Sequence, residues 1–122
     1  LEVDALNGHP GVFSKRFAGL NASSDDNIDK LLEMLGNNTN RAARFKTVIS
    51  LSKNSEIITF EGICEGNIGY ERMGDLGFGY DPVFIPKNQN ISFGQMSLSE
   101  KNLIAHRAKA INKLVDYLTN LY

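Results

Sequence analysis

Gly77-Phe78-Gly79-Tyr80-Asp81-Pro82-Val83-Phe84 sets an aromatic ring between two glycines and a carboxylate just ahead of a proline. Glycine on either side of Phe78 removes the Cβ atoms that would crowd a planar group lying on the ring. Asp81 precedes Pro82, which biases its backbone toward extended geometry and away from helix. A flat apolar platform with a fixed acceptor nearby is what a nucleobase site needs. The same run also reads as a glycine-rich turn entering a strand at Val83-Phe84-Ile85, with Phe78 in the core, because apolar aromatics are usually buried. The two readings part on whether the Phe78 ring faces solvent.

A second run lies downstream. Ser97 and Glu100 form an S-x-x-E capping box, which predicts a helix start. Ile104, Ala108, Ile111, Val115 and Leu118 then recur at helical spacing and predict one buried face. Lys101, His106 and Arg107 are the cationic and donor groups at this end of the segment. Taken alone, such side chains on a helix are usually solvated.

Together the two runs, GFGYDPVF and then SxxEKNxIxHRxKA, resemble the inosine triphosphate pyrophosphatases, which hydrolyse non-standard purine nucleoside triphosphates such as ITP, dITP and XTP. The opening of the chain agrees. Leu1-Glu2-Val3-Asp4-Ala5-Leu6-Asn7-Gly8 and Pro10-Gly11-Val12-Phe13-Ser14-Lys15-Arg16-Phe17-Ala18-Gly19 are similar to the family's segment LxVDALxGxPGxxSxRxAG. Three motifs thus stand in the family's order along nearly the whole chain. Two others are not found: the [ST]-x-N-x-x-K turn that holds the triphosphate, and the acidic D-[ST]-G motif. The chain opens at Leu1, inside what the family has as an internal segment. The resemblance therefore implies a single domain fragment over residues 1–122, the C-terminal part of a longer domain, with the catalytic acid expected just upstream of Leu1.

The resemblance also implies roles. Phe78 would stack on the purine, with Gly79 and Tyr80 beside it. Asp81 would accept a hydrogen bond from a ring or ribose donor. His106 and Arg107 would direct donors at the base edge, where a 6-keto oxygen accepts and the adenine amino group does not. Lys101 would serve the base edge or the phosphates. Ser14 and Arg16 match a family segment without an assigned role. The implied reaction is attack of water on the triphosphate, with magnesium as the cofactor, giving the monophosphate and pyrophosphate. Glu2 and Asp4 are the acids nearest the absent motif, and they read as ordinary strand-end carboxylates. A homodimer is expected from the family, C2 pairing being the commonest soluble assembly. The rival for these 122 residues is a purine-nucleotide-binding or inert fragment that does not hydrolyse.

Composition narrows the field. Thirteen basic and 14 acidic side chains leave a net charge of −1 over 122 residues, with no footprint for a nucleic acid or an anionic membrane. The glycine-aromatic run partly imitates an RNA-binding pattern, but Leu76 stands where a basic residue belongs and Asp81-Pro82 interrupts the strand. A single cysteine, Cys64, cannot form an internal disulfide and reads as a buried small hydrophobe. No apolar run is long enough to span a bilayer, and cytoplasm is the default compartment.

The remaining pattern is α/β: a mixed β-sheet with flanking helices. Leu1 to Leu6 reads as a strand end. Ser24-Asp25-Asp26 opens a helix carrying Leu31, Leu32 and Leu35, closed by Gly36-Asn37-Asn38. Ala43, Phe45, Thr47, Ile49 and Leu51 alternate as in a strand. Lys53-Asn54-Ser55 turns the chain into an antiparallel partner at Ile57-Ile58-Thr59-Phe60. The glycines between Gly62 and Gly79 predict strand end and irregular loop.

Overall fold

The structure, a computed structural model, describes residues 1–120. Among these, one sheet of four strands has the order β1 (Glu2–Val3), β2 (Ala42–Lys53), β3 (Glu56–Ile68), β4 (Phe84–Pro86). The helices are α1 (Ser24–Leu35), α2 (Leu98–Asn102) and α3 (His106–Asn120). The α/β class is the expected one. The pairings, however, are antiparallel throughout, where a mixed sheet was expected.

The β2–β3 hairpin is the frame. Its register runs from Ala42 opposite Asn67 to Lys53 opposite Glu56. The two linking residues, Asn54 and Ser55, take φ of 50° and 68°, the left-handed pair that a two-residue turn needs to match strand twist. β3 continues through Gly62 and Gly66 to Ile68, so the glycine-rich stretch opens as a strand end, as expected, before the loop begins. Gly66 is required by packing: a Cβ there would lie 2.7 Å from the Phe84 ring. Val3, Ala43, Ile68, Val83, Phe84 and Phe93 form the core with Ile28, Leu31 and Leu35 of α1. Cys64 is buried and free, and burial pushes its thiol pKa up.

α1 forms as its ends dictate. The Ser23 hydroxyl caps the Asp26 amide while the Asp26 carboxylate accepts from the Ser23 amide, and Gly36 at φ 49° closes the helix. At the chain start the strand is shorter than expected. Asp4–Leu6 turns into a 3-10 helix, whose end is Asn7 at φ 57°. Asp81–Val83 is also a 3-10 turn and not extended chain. Proline is tolerated there because the first turn of a helix needs no N–H from it.

The downstream helix is two helices. Ser97 and Glu100 make the expected capping box, but α2 ends at Asn102 and α3 begins at His106. The buried face of α3 also differs. Ala110 is buried, with His106, Leu114 and Tyr117 half-buried, whereas Ile111, Val115 and Leu118 are exposed. The cause is the neighbour. α3 lies on β3, where Tyr117 meets Phe60 ring to ring at 5.4 Å and Lys109 and Lys113 donate to the Ile63 and Glu61 carbonyls.

Candidate nucleotide-base site

A cleft of about 600 Å³ opens where β2, the 77–83 loop and the start of α3 meet. All seven residues expected at the site line it: Phe78, Gly79, Tyr80, Asp81, Lys101, His106 and Arg107.

The loop is built around one carboxylate. Asp81 Oδ2 accepts from the Phe78 amide at 2.9 Å and from Lys101 Nζ at 2.6 Å. Gly77 at φ 75° brings the chain so near that a Cβ on it would overlap that same oxygen. Gly79, at φ 60°, turns the chain again over open space. Phe78 is thereby held 60% exposed, outside the core. Tyr80 turns the other way: it is buried, its hydroxyl donates to the Ser14 carbonyl at 2.6 Å, and burial pushes its phenol pKa up.

Two cations sit on the Phe78 ring. Lys101 Nζ is 4.4 Å from its centroid and the Arg107 guanidinium carbon 4.9 Å. Lys101 is 11% exposed and Asp81 5% at their side chains, so this ion pair is largely out of water. The pair gives Asp81 and Lys101 an anchoring duty that spacing did not reveal. Arg107 is exposed and free to turn toward a ligand.

His106 is neutral at neutral pH. Burial, then the Arg107 guanidinium, lowers its pKa to about 4. Its Nδ1 is buried with no partner among the described residues. A neutral imidazole offers one donor and one acceptor, so His106 cannot present two donors.

Phe45, Thr47, Lys46, Ser14 and Asn27 also line the cleft. The alternation in β2 placed Phe45 and Thr47 on one strand face, but no local signal tied either to His106. Ser14 Oγ donates to the Gly11 carbonyl at 2.6 Å and accepts from the Leu1 ammonium at 3.0 Å, a tie within its own segment. Arg16 is not among the lining residues.

Glu2 and Asp4, the two acids nearest the absent motif, are engaged with an arginine. Arg44 holds Asp4 at 2.9 Å and reaches Glu2 at 3.8 Å, leaving both in an ion-pair network with Glu65. No group of three or more metal-ligating side chains occurs among the described residues.

The chain is similar to known proteins in sequence and in fold. The chain is 50% identical over 119 residues to a dITP/XTP pyrophosphatase of Flavobacterium johnsoniae, matching 98% of this chain and 62% of that protein. It is 47% identical to the dITP/XTP pyrophosphatase of Staphylococcus aureus strain MRSA252, matching 97% and 61%. The fold superposes on the Staphylococcus aureus Ham1 protein with a TM-score of 0.96 at 44% identity, covering 99% of this chain and 64% of that one. For a HAM1 protein from Coxiella burnetii the TM-score is 0.93 at 39% identity, with coverage of 98% and 63%. The chain thus spans about three-fifths of the length of these relatives. A model of the Ham1 family matches residues 1–117, which takes in the four strands, the 77–83 loop, α2 and most of α3, and the chain belongs to the Ham1 family.

Proposed function

We propose that this cleft binds the base of a non-standard purine nucleoside triphosphate, and that the protein hydrolyses ITP, dITP and XTP to the monophosphate and pyrophosphate. The observation that carries the reading is the exposed Phe78, held by Asp81 and flanked by Arg107, in one cleft with a His106 whose Nδ1 has no partner among the described residues. A purine on that ring gains about 1–3 kcal/mol from stacking. Arg107 then donates to a 6-keto oxygen. Against adenine it would face an amino donor, and polar groups left unpaired in this way can reject a substrate by about 10⁴-fold or more. Magnesium arrives with the triphosphate as part of the substrate. The reaction belongs to the cytoplasmic nucleotide pool, and the assembly is a homodimer.

A second reading has its own support. Asp81 is the only carboxylate among the described cleft residues, and it is committed to Lys101 and the Phe78 amide. These 122 residues by themselves then bind a purine nucleotide without hydrolysing it. Calorimetric binding of ITP with no pyrophosphate release would favour that reading.

Base selection is tested with Phe78→Ala and Arg107→Ala in the hydrolysing protein. Phe78→Ala lowers kcat/KM for ITP and XTP together, because stacking ignores ring substituents. Arg107→Ala loses a charge-assisted hydrogen bond of about 1.5–3 kcal/mol, more than tenfold on ITP, and narrows its advantage over ATP. An unchanged ITP-to-ATP ratio in Arg107→Ala would overturn the donor assignment.

A further inference from the structure

The first turn of α3 carries His106 and Arg107, and it rests on the β2–β3 hairpin at two points. On β3, a Cβ at Gly62 would overlap the His106 carbonyl oxygen and come within 2.6 Å of the Ala110 amide nitrogen. Helix backbone meets strand backbone there. On β2, the Phe45 ring lies along the His106 imidazole, 4.9 Å between centroids and 15° from parallel. Phe45 is in turn fixed by Phe84 at 4.6 Å and Phe93 at 6.0 Å. His106 Nδ1 has no partner among the described residues, so packing rather than a hydrogen bond to that atom sets the ring's place.

We propose that Gly62 and Phe45 are the positioning residues of the base-edge pair, fixing the depth and plane of the His106 ring and, through the same turn, the reach of Arg107 over Phe78. What the pair recognises rests on the nucleotide reading; the seat beneath it does not. A methyl at position 62 meets backbone, which cannot swing aside as a side-chain tip can, so the turn has to lift. A misplacement of about 1 Å at a recognition group can cost about a hundredfold in rate.

The seat also governs protonation of His106. Burial is the first cause of its low pKa, and lifting the turn admits water. The side-chain charges that act on the ring are Arg107 and Lys109 on α3 and Lys101 on α2. Lys46 of β2 and Asp81 share the cleft, Asp81 being paired with Lys101.

The test compares Gly62→Ala, Phe45→Leu and Leu35→Ala, the last a cavity in α1 away from the cleft. NMR titration of the His106 ring without nucleotide is set beside calorimetric binding of IMP and AMP. In Gly62→Ala and Phe45→Leu, the His106 midpoint rises by about one unit or more from its value near 4. The Kd for IMP rises about tenfold or more, and the preference over AMP shrinks. Leu35→Ala lowers the melting temperature but keeps both readouts. A folded Gly62→Ala with an unchanged midpoint and preference overturns the proposal, as does an equal shift in Leu35→Ala. If Gly62→Ala does not fold, Phe45→Leu, which keeps apolar bulk, decides by the same two criteria. If the unaltered protein binds neither nucleotide, the nucleotide reading falls and the titration alone judges the seat.

Discussion

Replacing Asp81 by Asn removes one charge from the centre of the loop and leaves Lys101 facing it. The carboxylate accepts from Lys101 Nζ at 2.6 Å and from the Phe78 amide at 2.9 Å, with only 5% of its side chain exposed. Removing one partner of a buried pair costs about 3–5 kcal/mol, because the other charge stays buried. Two features offset part of this. The Asn amide oxygen can still accept from Phe78 N–H, and the Phe78 and Phe93 rings, 4.4 and 5.5 Å from Nζ, stabilise the stranded ammonium by about 0.5–2 kcal/mol. The net loss is therefore about 2–4 kcal/mol. Lys101→Met strands the carboxylate and costs a similar amount. The double variant Asp81→Asn/Lys101→Met strands neither charge, so it loses less than the two singles added, by about 2 kcal/mol or more. Urea denaturation of the four proteins reads all three numbers. A loss below about 1 kcal/mol in Asp81→Asn, or strict additivity, would show that the pair is solvated and that Asp81 does not hold the loop.

His106 makes stability depend on pH. Its folded pKa, about 4, lies below the unfolded value of about 6.5, so between the two the unfolded chain binds the extra proton. Stability is thus full above about pH 6.5 and falls as pH drops toward 4; His106→Gln should flatten that part of the profile in urea midpoints at stepped pH, and an unchanged slope would place the titration elsewhere. Tyr80→Phe strands the Ser14 carbonyl and should cost about 1–2 kcal/mol in the same assay, whereas a neutral outcome would mean that water already serves that carbonyl. Sedimentation at micromolar concentration should give a dimer, and a monomer would remove the homodimer from the proposal.

Local signals were legible and long-range ones were not. The capping box at Ser97, the glycine stop at Gly36 and the alternation along β2 each depend on neighbours within a few residues, whereas the cap of α1, expected at Ser24, lies one residue earlier at Ser23. The break between α2 and α3 does not. On one continuous helix Lys101 and His106, five positions apart, would point about 140° away from each other. Stopping at Asn102 and restarting at His106 lets both line the same cleft. Apolar periodicity favoured Ile111 and Val115 as the inward stripe, but the surface beneath α3 at Gly62 admits only the small Ala110. The seven residues that line the cleft were legible because they lie in two short runs. Their division of labour was not, because the partner of Asp81 is 20 positions away and the ring beside His106 is on β2.

Net charge says little about what such a cleft attracts. The whole chain carries −1, yet Lys15, Lys46, Lys101 and Arg107 line the cleft against the single carboxylate of Asp81. Lys46 is paired to Glu61 at 2.9 Å and Lys101 to Asp81, which leaves Lys15 and Arg107 without a carboxylate partner among the described residues. The field inside is therefore positive, and a low-dielectric wall of Phe45, Phe78 and Tyr80 concentrates it. That field has two effects at once. It favours an anionic ligand such as a phosphorylated nucleoside, and it helps keep His106 unprotonated, since Arg107 and Lys101 both oppose a further positive charge. On the proposed reading, a neutral imidazole beside a cation would give the base edge two unlike readers. Arg107 can only donate, whereas His106 donates from one nitrogen and accepts at the other. Such a pair would distinguish bases by their pattern of donors and acceptors, a discrimination that two cations could not make.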